Sequence, residues 1–228
     1  MGPLDDLAHS VQKRNYAQGR IILALDTDDP KRAERILYEI KPFRGLVKIG
    51  LELVTAVGID EAIRLGKQAG SEVFMDLKFH DIPNTVAGAA RAASRKHVSM
   101  FNVHCLAGRK ALAAARKGVD SLGGIADNEN KPRLLGVTLL TSHSYEDLVE
   151  IGLVPELNIH DDAERLEVQT MHIEERVRRL AHLADEEGLD GLICSPKELV
   201  MLRKYFGDRF VYVTPGVRPP WYRWIGPV

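Results

Sequence analysis

The chain has 228 residues, 45% hydrophobic and 28% charged. That is the composition of an ordinary globular protein and the length of one α/β barrel, so residues 1–228 are expected to form a single domain. The formal net charge of −1 provides no footprint for nucleic acid or an anionic membrane surface, and no apolar run reaches the ~18 residues that span a bilayer.

In chain order, residues 4–18 read as an amphipathic helix against the bottom or side of the fold. The start, with Asp5, Asp6 and His9, lacks the basic-then-apolar layout of a signal peptide. Short apolar runs then recur at 20–26, 45–50, 71–78, 98–105, 133–142, 189–195 and 209–216. Amphipathic segments separate them at 30–40, 58–69, 86–96, 107–117, 173–187 and 197–206. Asp29-Pro30 and Ser195-Pro196 are helix starts, each with an N-cap side chain and proline in the first turn. Residues 121–132, rich in Gly, Asn, Asp and Glu, read as a solvent loop. Residues 158–170 read as a charged, solvated insertion in the fifth crossover. Strand–helix alternation implies a parallel sheet with right-handed crossovers, and its repetition favours a (β/α)₈ TIM barrel over an open doubly wound sheet. The first strand runs into Asp26-Thr27-Asp28-Asp29 and not into a glycine-rich turn, which argues against dinucleotide binding. Cys105 and Cys194 are too few and too far apart for a disulfide framework or a zinc spacing. A cytoplasmic location is expected.

The octet Asp76-Leu77-Lys78-Phe79-His80-Asp81-Ile82-Pro83 follows the apolar run Val73-Phe74-Met75, so it lies where a buried strand enters a loop. Side chains alternate along a strand, which puts Asp76 and Lys78 on one face. Unlike charges on a buried strand are costly unless they meet each other, further charges or a ligand. A structural ion pair would satisfy an isolated D-x-K. However, barrel active sites form at the carboxyl ends of strands, and the other strand ends are polar too: Asp26, Lys48, Asn102, His104, Thr141, Ser142, Cys194, Ser195 and Thr214. Lys48, inside Leu46-Val47-Lys48-Ile49, needs a partner if buried, and Asp76 is the nearest candidate. An alternating Lys48–Asp76–Lys78–Asp81 array would satisfy four charges at one mouth. His104 reads as a packing histidine behind that mouth.

Asp76-Leu77-Lys78-Phe79-His80-Asp81-Ile82-Pro83-Asn84-Thr85 closely resembles the signature of the orotidine 5′-phosphate decarboxylases of bacteria. The resemblance extends to Leu23-Ala24-Leu25-Asp26, Val47-Lys48-Ile49-Gly50, Phe101-Asn102-Val103-His104, Thr138-Leu139-Leu140-Thr141-Ser142 and Val213-Thr214-Pro215-Gly216-Val217-Arg218-Pro219. It implies conversion of orotidine 5′-phosphate to UMP and carbon dioxide in pyrimidine biosynthesis, with no cofactor and no metal. It also implies roles. Lys78 would be the proton donor, with Asp76, Asp81 and Lys48 completing the catalytic group. Asp26 and Lys48 would contact the ribose, and Thr141 and Ser142 the pyrimidine. Pro215, Arg218 and Gly226 would lie on the lid and phosphate side. Asp81, Ile82 and Thr85 would reach across a twofold interface, which implies a homodimer with shared sites.

After Arg218-Pro219 the agreement stops. Ile225-Gly226-Pro227-Val228 resembles the family's terminal phosphate motif with its arginine deleted, and Arg223 is a possible substitute. Either this chain is part of a longer molecule or its phosphate site is altered. Two other readings stay open: a sugar-phosphate decarboxylase or aldolase of the same superfamily, which would need a divalent metal, and a barrel that binds ligand without turnover.

Overall fold

The computed structural model describes residues 19–40, 45–68, 70, 72–121 and 131–217. Its strands are β1 (Ile22–Leu25), β2 (Leu46–Gly50), β3 (Glu72–Phe79), β4 (Met100–His104), β5 (Arg133–Val137), β6 (Gly191–Ile193) and β7 (Val211–Val213). All pair in parallel and in sequence order, β1 through β7, as one sheet. The helices are α1 (Pro30–Glu39), α2 (Leu51–Val57), α3 (Ile59–Gln68), α4 (Pro83–Ser94), α5 (Arg109–Asp120), α6 (Tyr145–Glu150), α7 (Asp162–Glu186) and α8 (Leu199–Phe206). Strands in this order, β1 to β6 each followed by helix, curl into a partial TIM barrel; among the described residues β1 and β7 are its open edges.

Two apolar layers hold it. The larger lies between sheet and helices and includes Leu25, Val47, Ile49, Val73, Met75, Phe101, Val103, Leu134 and Leu192. The smaller comprises Phe74, Met100, Leu135, Val137 and Ile193, with Ile22, Leu46 and Val213 packed against it. Those residues come from alternate positions on every strand, so they fill the barrel interior. Alternation then sends Lys48, Asp76 and Asn102 to the same interior face, two residues nearer the carboxyl ends than Leu46, Phe74 and Met100. The apolar layer is the floor of the site.

The structure departs from the sequence reading in three places. The fifth run ends as a strand at Val137. Thr138 turns in, donating from its amide and its hydroxyl to the Ile193 carbonyl at 3.2 and 3.1 Å, and Thr141 and Ser142 fall in an exposed turn. Residues 162–170, expected as a solvated insertion, open the 25-residue α7. Its start is marked by the Asp161 side chain accepting from the Glu164 amide at 2.8 Å, with Asp162 and Glu164 complementing the helix dipole. Two short helices were not anticipated, α2 and α6; the second is announced by a Ser144/Asp147 capping box. The expected helix at 4–18 lies outside the described residues, as does nearly all of the expected loop at 121–132.

Candidate active site

Four charged side chains alternate in sign across the mouths of the first three strands. The Lys48 ammonium donates to Asp26 Oδ1 at 2.9 Å and lies 3.3 Å from Asp76 Oδ2. The Lys78 ammonium donates to Asp76 Oδ1 at 2.8 Å. Asp76 is buried, Lys48 and Lys78 are partly buried, and Asp26 is open to solvent. Gly50 leaves room for the outer pair: a methyl built there would lie 3.3 Å from Lys48 Nζ and 3.4 Å from Asp26 Oδ1.

The array holds its own charges. Burial works against the Lys48 ammonium, but its hydrogen bond to Asp26 and the fields of Asp76 and Asp26 outweigh burial and raise its pKa above the ordinary lysine value. Burial likewise favours a neutral Asp76. The hydrogen bonds from Lys78 and Asn102 and the fields of both lysines overcome it, leaving Asp76 below the usual carboxylate range. The site therefore keeps a fixed anion between two cations.

A β-bulge delivers Lys78 to this position. Met75 pairs with Phe101 and Phe79 with Val103, so β3 spends four steps where β4 spends two. Lys78 adopts a left-handed backbone, φ 49°, which costs a non-glycine residue about 1–3 kcal/mol and persists only where the surroundings enforce it. Opposite the bulge, buried Asn102 accepts from the Lys78 amide at 2.7 Å and donates to Asp76 Oδ1 at 2.6 Å. Asn102 stands among the polar strand ends in the sequence, yet nothing there separates it from a packing residue. Its partner is a backbone group exposed by the bulge, which periodicity does not reveal.

Behind Lys78, buried His104 lies against His80 with ring centroids 5.3 Å apart, and its Nδ1 accepts from the Leu106 amide at 3.3 Å. Burial, followed by the charges of His80, His143 and Lys78, pushes its pKa down to about 4.

The structure thus brings together Asp26, Lys48, Asp76 and Lys78. It does not bring in Asp81. The chain leaves β3 at Phe79, and the exposed Asp81 carboxylate accepts from the Ile82 amide at 2.6 Å ahead of α4. The expected fourth charge is therefore supplied within the chain by Asp26. Ile82, 66% exposed, and Thr85 present an outward-facing segment beside the mouth. Thr141, Ser142 and Pro215 are exposed on loops at the carboxyl ends of β5 and β7. Arg218 and Gly226, like Arg223, lie outside the described residues. Among the described residues no three His, Cys, Asp or Glu side chains converge as a metal site, and no helix is long and apolar enough to cross a membrane.

A parallel sheet curled as a TIM barrel, with fixed charges of alternating sign at the carboxyl mouth of its strands, is the arrangement of a β/α-barrel enzyme. Residues 19–224 match the model of the Orotidine 5′-phosphate decarboxylase / HUMPS family, and the chain belongs to that family. It is 44% identical over 207 residues to the orotidine 5′-phosphate decarboxylase of Moorella thermoacetica, covering 90% of this chain and 75% of that one. It is 43% identical over 203 residues to that of Syntrophotalea carbinolica, covering 89% and 76%. Among solved structures, orotidine 5′-phosphate decarboxylase from Lactobacillus acidophilus superposes with a TM-score of 0.69 at 38% identity, covering 87% of this chain and 81% of that one. An uncharacterized conserved protein from Geobacillus kaustophilus gives 0.71 at 34% identity, covering 85% and 82%.

Proposed function

We infer that this chain decarboxylates orotidine 5′-phosphate to UMP and carbon dioxide in pyrimidine biosynthesis. The observation that carries the reading is the Asp26–Lys48–Asp76–Lys78 array at one barrel mouth, in a chain of this family. Breaking the bond from C6 to the carboxylate leaves an electron pair on C6 that the ring π-system cannot absorb. A preorganised cation is the direct remedy. Lys78 stands beside C6, stabilises that pair while carbon dioxide leaves, and donates a proton to C6; solvent then reprotonates its amine. Asp76 holds Lys78 in place and faces the departing carboxylate. Lys48, tied to Asp26 and Asp76, orders the mouth and with Asp26 meets the ribose hydroxyls.

In this reading Thr141 and Ser142 meet the pyrimidine, and Pro215, Arg218 and Gly226 serve the phosphate side. Binding energy from that remote phosphate fixes the base against Lys78. The exposed segment carrying Asp81, Ile82 and Thr85 completes the site of a second copy in a cytoplasmic homodimer. No cofactor or metal takes part. The deciding assay follows UMP formation from orotidine 5′-phosphate with and without EDTA. Turnover that survives chelation is expected. Dependence on added Mg²⁺ moves the chain to the sugar-phosphate branch, and UMP binding without turnover makes it a binding protein.

A further inference from the structure

We propose that Asn102 is a positioning residue that sets the Asp76–Lys78 pair by locking the bulge in β3. For turnover this rests on the decarboxylase reading above. The geometry does not depend on it. A regular parallel ladder would give the Lys78 amide a carbonyl on β4, but the surplus residues of the bulge break that ladder between Met75 and Phe79. The acceptor is instead Asn102 Oδ1, at 2.7 Å. Because an amide nitrogen must meet an oxygen, this contact fixes the orientation of the Asn102 carboxamide and commits its Nδ2 to Asp76 Oδ1, at 2.6 Å. One buried side chain thus grips the backbone of the proton donor and the carboxylate that pairs with it.

The same Asp76 oxygen accepts from the Lys78 ammonium at 2.8 Å. Backbone, carboxylate and ammonium therefore close a ring through Asn102. Among the described residues, the charged groups in contact with Asp76 are Lys78 and Lys48, the latter reaching it from β2 and itself held by Asp26. The Lys78 amide is instead held by Asn102. Without Asn102, the left-handed Lys78 backbone would lose its cross-strand restraint and the ammonium would drift from its place.

The test compares Asn102→Ala with the nearly isosteric Asn102→Asp, which keeps an acceptor for the Lys78 amide but sets a second carboxylate against Asp76. In Asn102→Ala, kcat should fall about 100-fold, the scale of a misplaced catalytic group. KM and UMP affinity should stay within about threefold, since ground-state contacts are untouched. Hydrogen exchange at the Lys78 amide, followed by NMR, should lose its protection in Asn102→Ala and keep it in Asn102→Asp. The aspartate variant should instead move the acidic limb of the kcat–pH profile upward, because a like charge disfavours ionised Asp76. A residue that only packs the core would produce neither the split in exchange nor the shift in the limb. Unchanged Lys78 protection in Asn102→Ala overturns the proposal whatever happens to turnover. Should Asn102→Ala fail to fold, an Asn102→Asp enzyme with wild-type kcat and pH profile overturns it instead. If the wild type does not turn over orotidine 5′-phosphate but Asn102→Ala loses Lys78 protection, the activity reading falls and the positioning role stands.

Discussion

At the scale of single residues, the proposed chemistry rests on two side chains of one strand. In the proposed mechanism Lys78 is both the cation facing the developing electron pair and the proton donor, so Lys78→Ala should abolish UMP formation with the fold intact. Retention of even a tenth of wild-type turnover, a barrier change of only ~1.4 kcal/mol, would remove Lys78 from that role. Asp76→Asn should be severely impaired yet bind UMP with little loss, since the product has no carboxylate for Asp76 to oppose; isothermal titration with UMP checks this. His104 ties the site to pH in another way. Its folded pKa of about 4 lies below the 6.5 of a free histidine, so between those values the unfolded chain binds a proton that the native protein refuses. Its contribution to stability is complete above about pH 6.5 and is lost as pH falls toward 4. Urea midpoints at pH 7 and pH 5 should differ less in His104→Gln than in the wild type. An equal pH dependence in the two proteins would refute the assignment. Asp76 and Lys78 were legible in the sequence as unlike charges two residues apart where a buried strand ends, although the bulge that sets Lys78 in place departs from simple alternation. Asp26 was expected at the ribose, and the sequence did not mark it as the fourth charge of the array, because the carboxylate nearest in sequence, Asp81, lies past the point where the strand ends.

Among the elements, the seven apolar runs each contain a strand because a parallel sheet covered on both faces needs nearly continuous hydrophobic segments, and helices rarely supply them so briefly. The ends were less legible. Polar strand-end residues such as Thr141 continue an apolar run without joining the ladder. The charged residues of α7 hid a helix because most of that helix's first half is exposed, so periodicity is weak there and only the capping signal at Asp161 remains. The α4–α5 pair illustrates packing that sequence does not announce. A methyl built at Gly118 of α5 would lie 2.6 Å from the Ala87 carbonyl oxygen and 3.0 Å from Ala90 Cβ, both on α4. Glycine inside a helix ordinarily costs about 1 kcal/mol relative to alanine, so Gly118→Ala would be expected to stabilise an isolated α5. Here overpacking, worth about 1–3 kcal/mol, should win, and the melting temperature should fall. A higher melting temperature for Gly118→Ala would mean that the two helices separate at little cost.

For the molecule as a whole, strand order and site placement follow from one rule: consecutive β/α units curl in sequence and present their carboxyl ends together. That rule says nothing about a second subunit, and the exposed Asp81–Thr85 segment beside the mouth is where one would act. If this segment completes the partner's site, two inactive variants should rescue each other. In that reading Lys78→Ala would lack the proton donor and Asp81→Ala the contribution made across the interface. In a mixed dimer, one site combines an intact Lys78 from one chain with an intact Asp81 from the other, while the opposite site carries both lesions. Random exchange of equal amounts makes about half of the dimers mixed, so about a quarter of wild-type activity should return if the interface is isologous and the sites are independent. Subunit exchange is followed by native mass spectrometry and activity by UMP formation. Exchange confirmed by mass without any return of activity would confine Asp81 to its own subunit, where its carboxylate accepts from the Ile82 amide and lies outside the charge array.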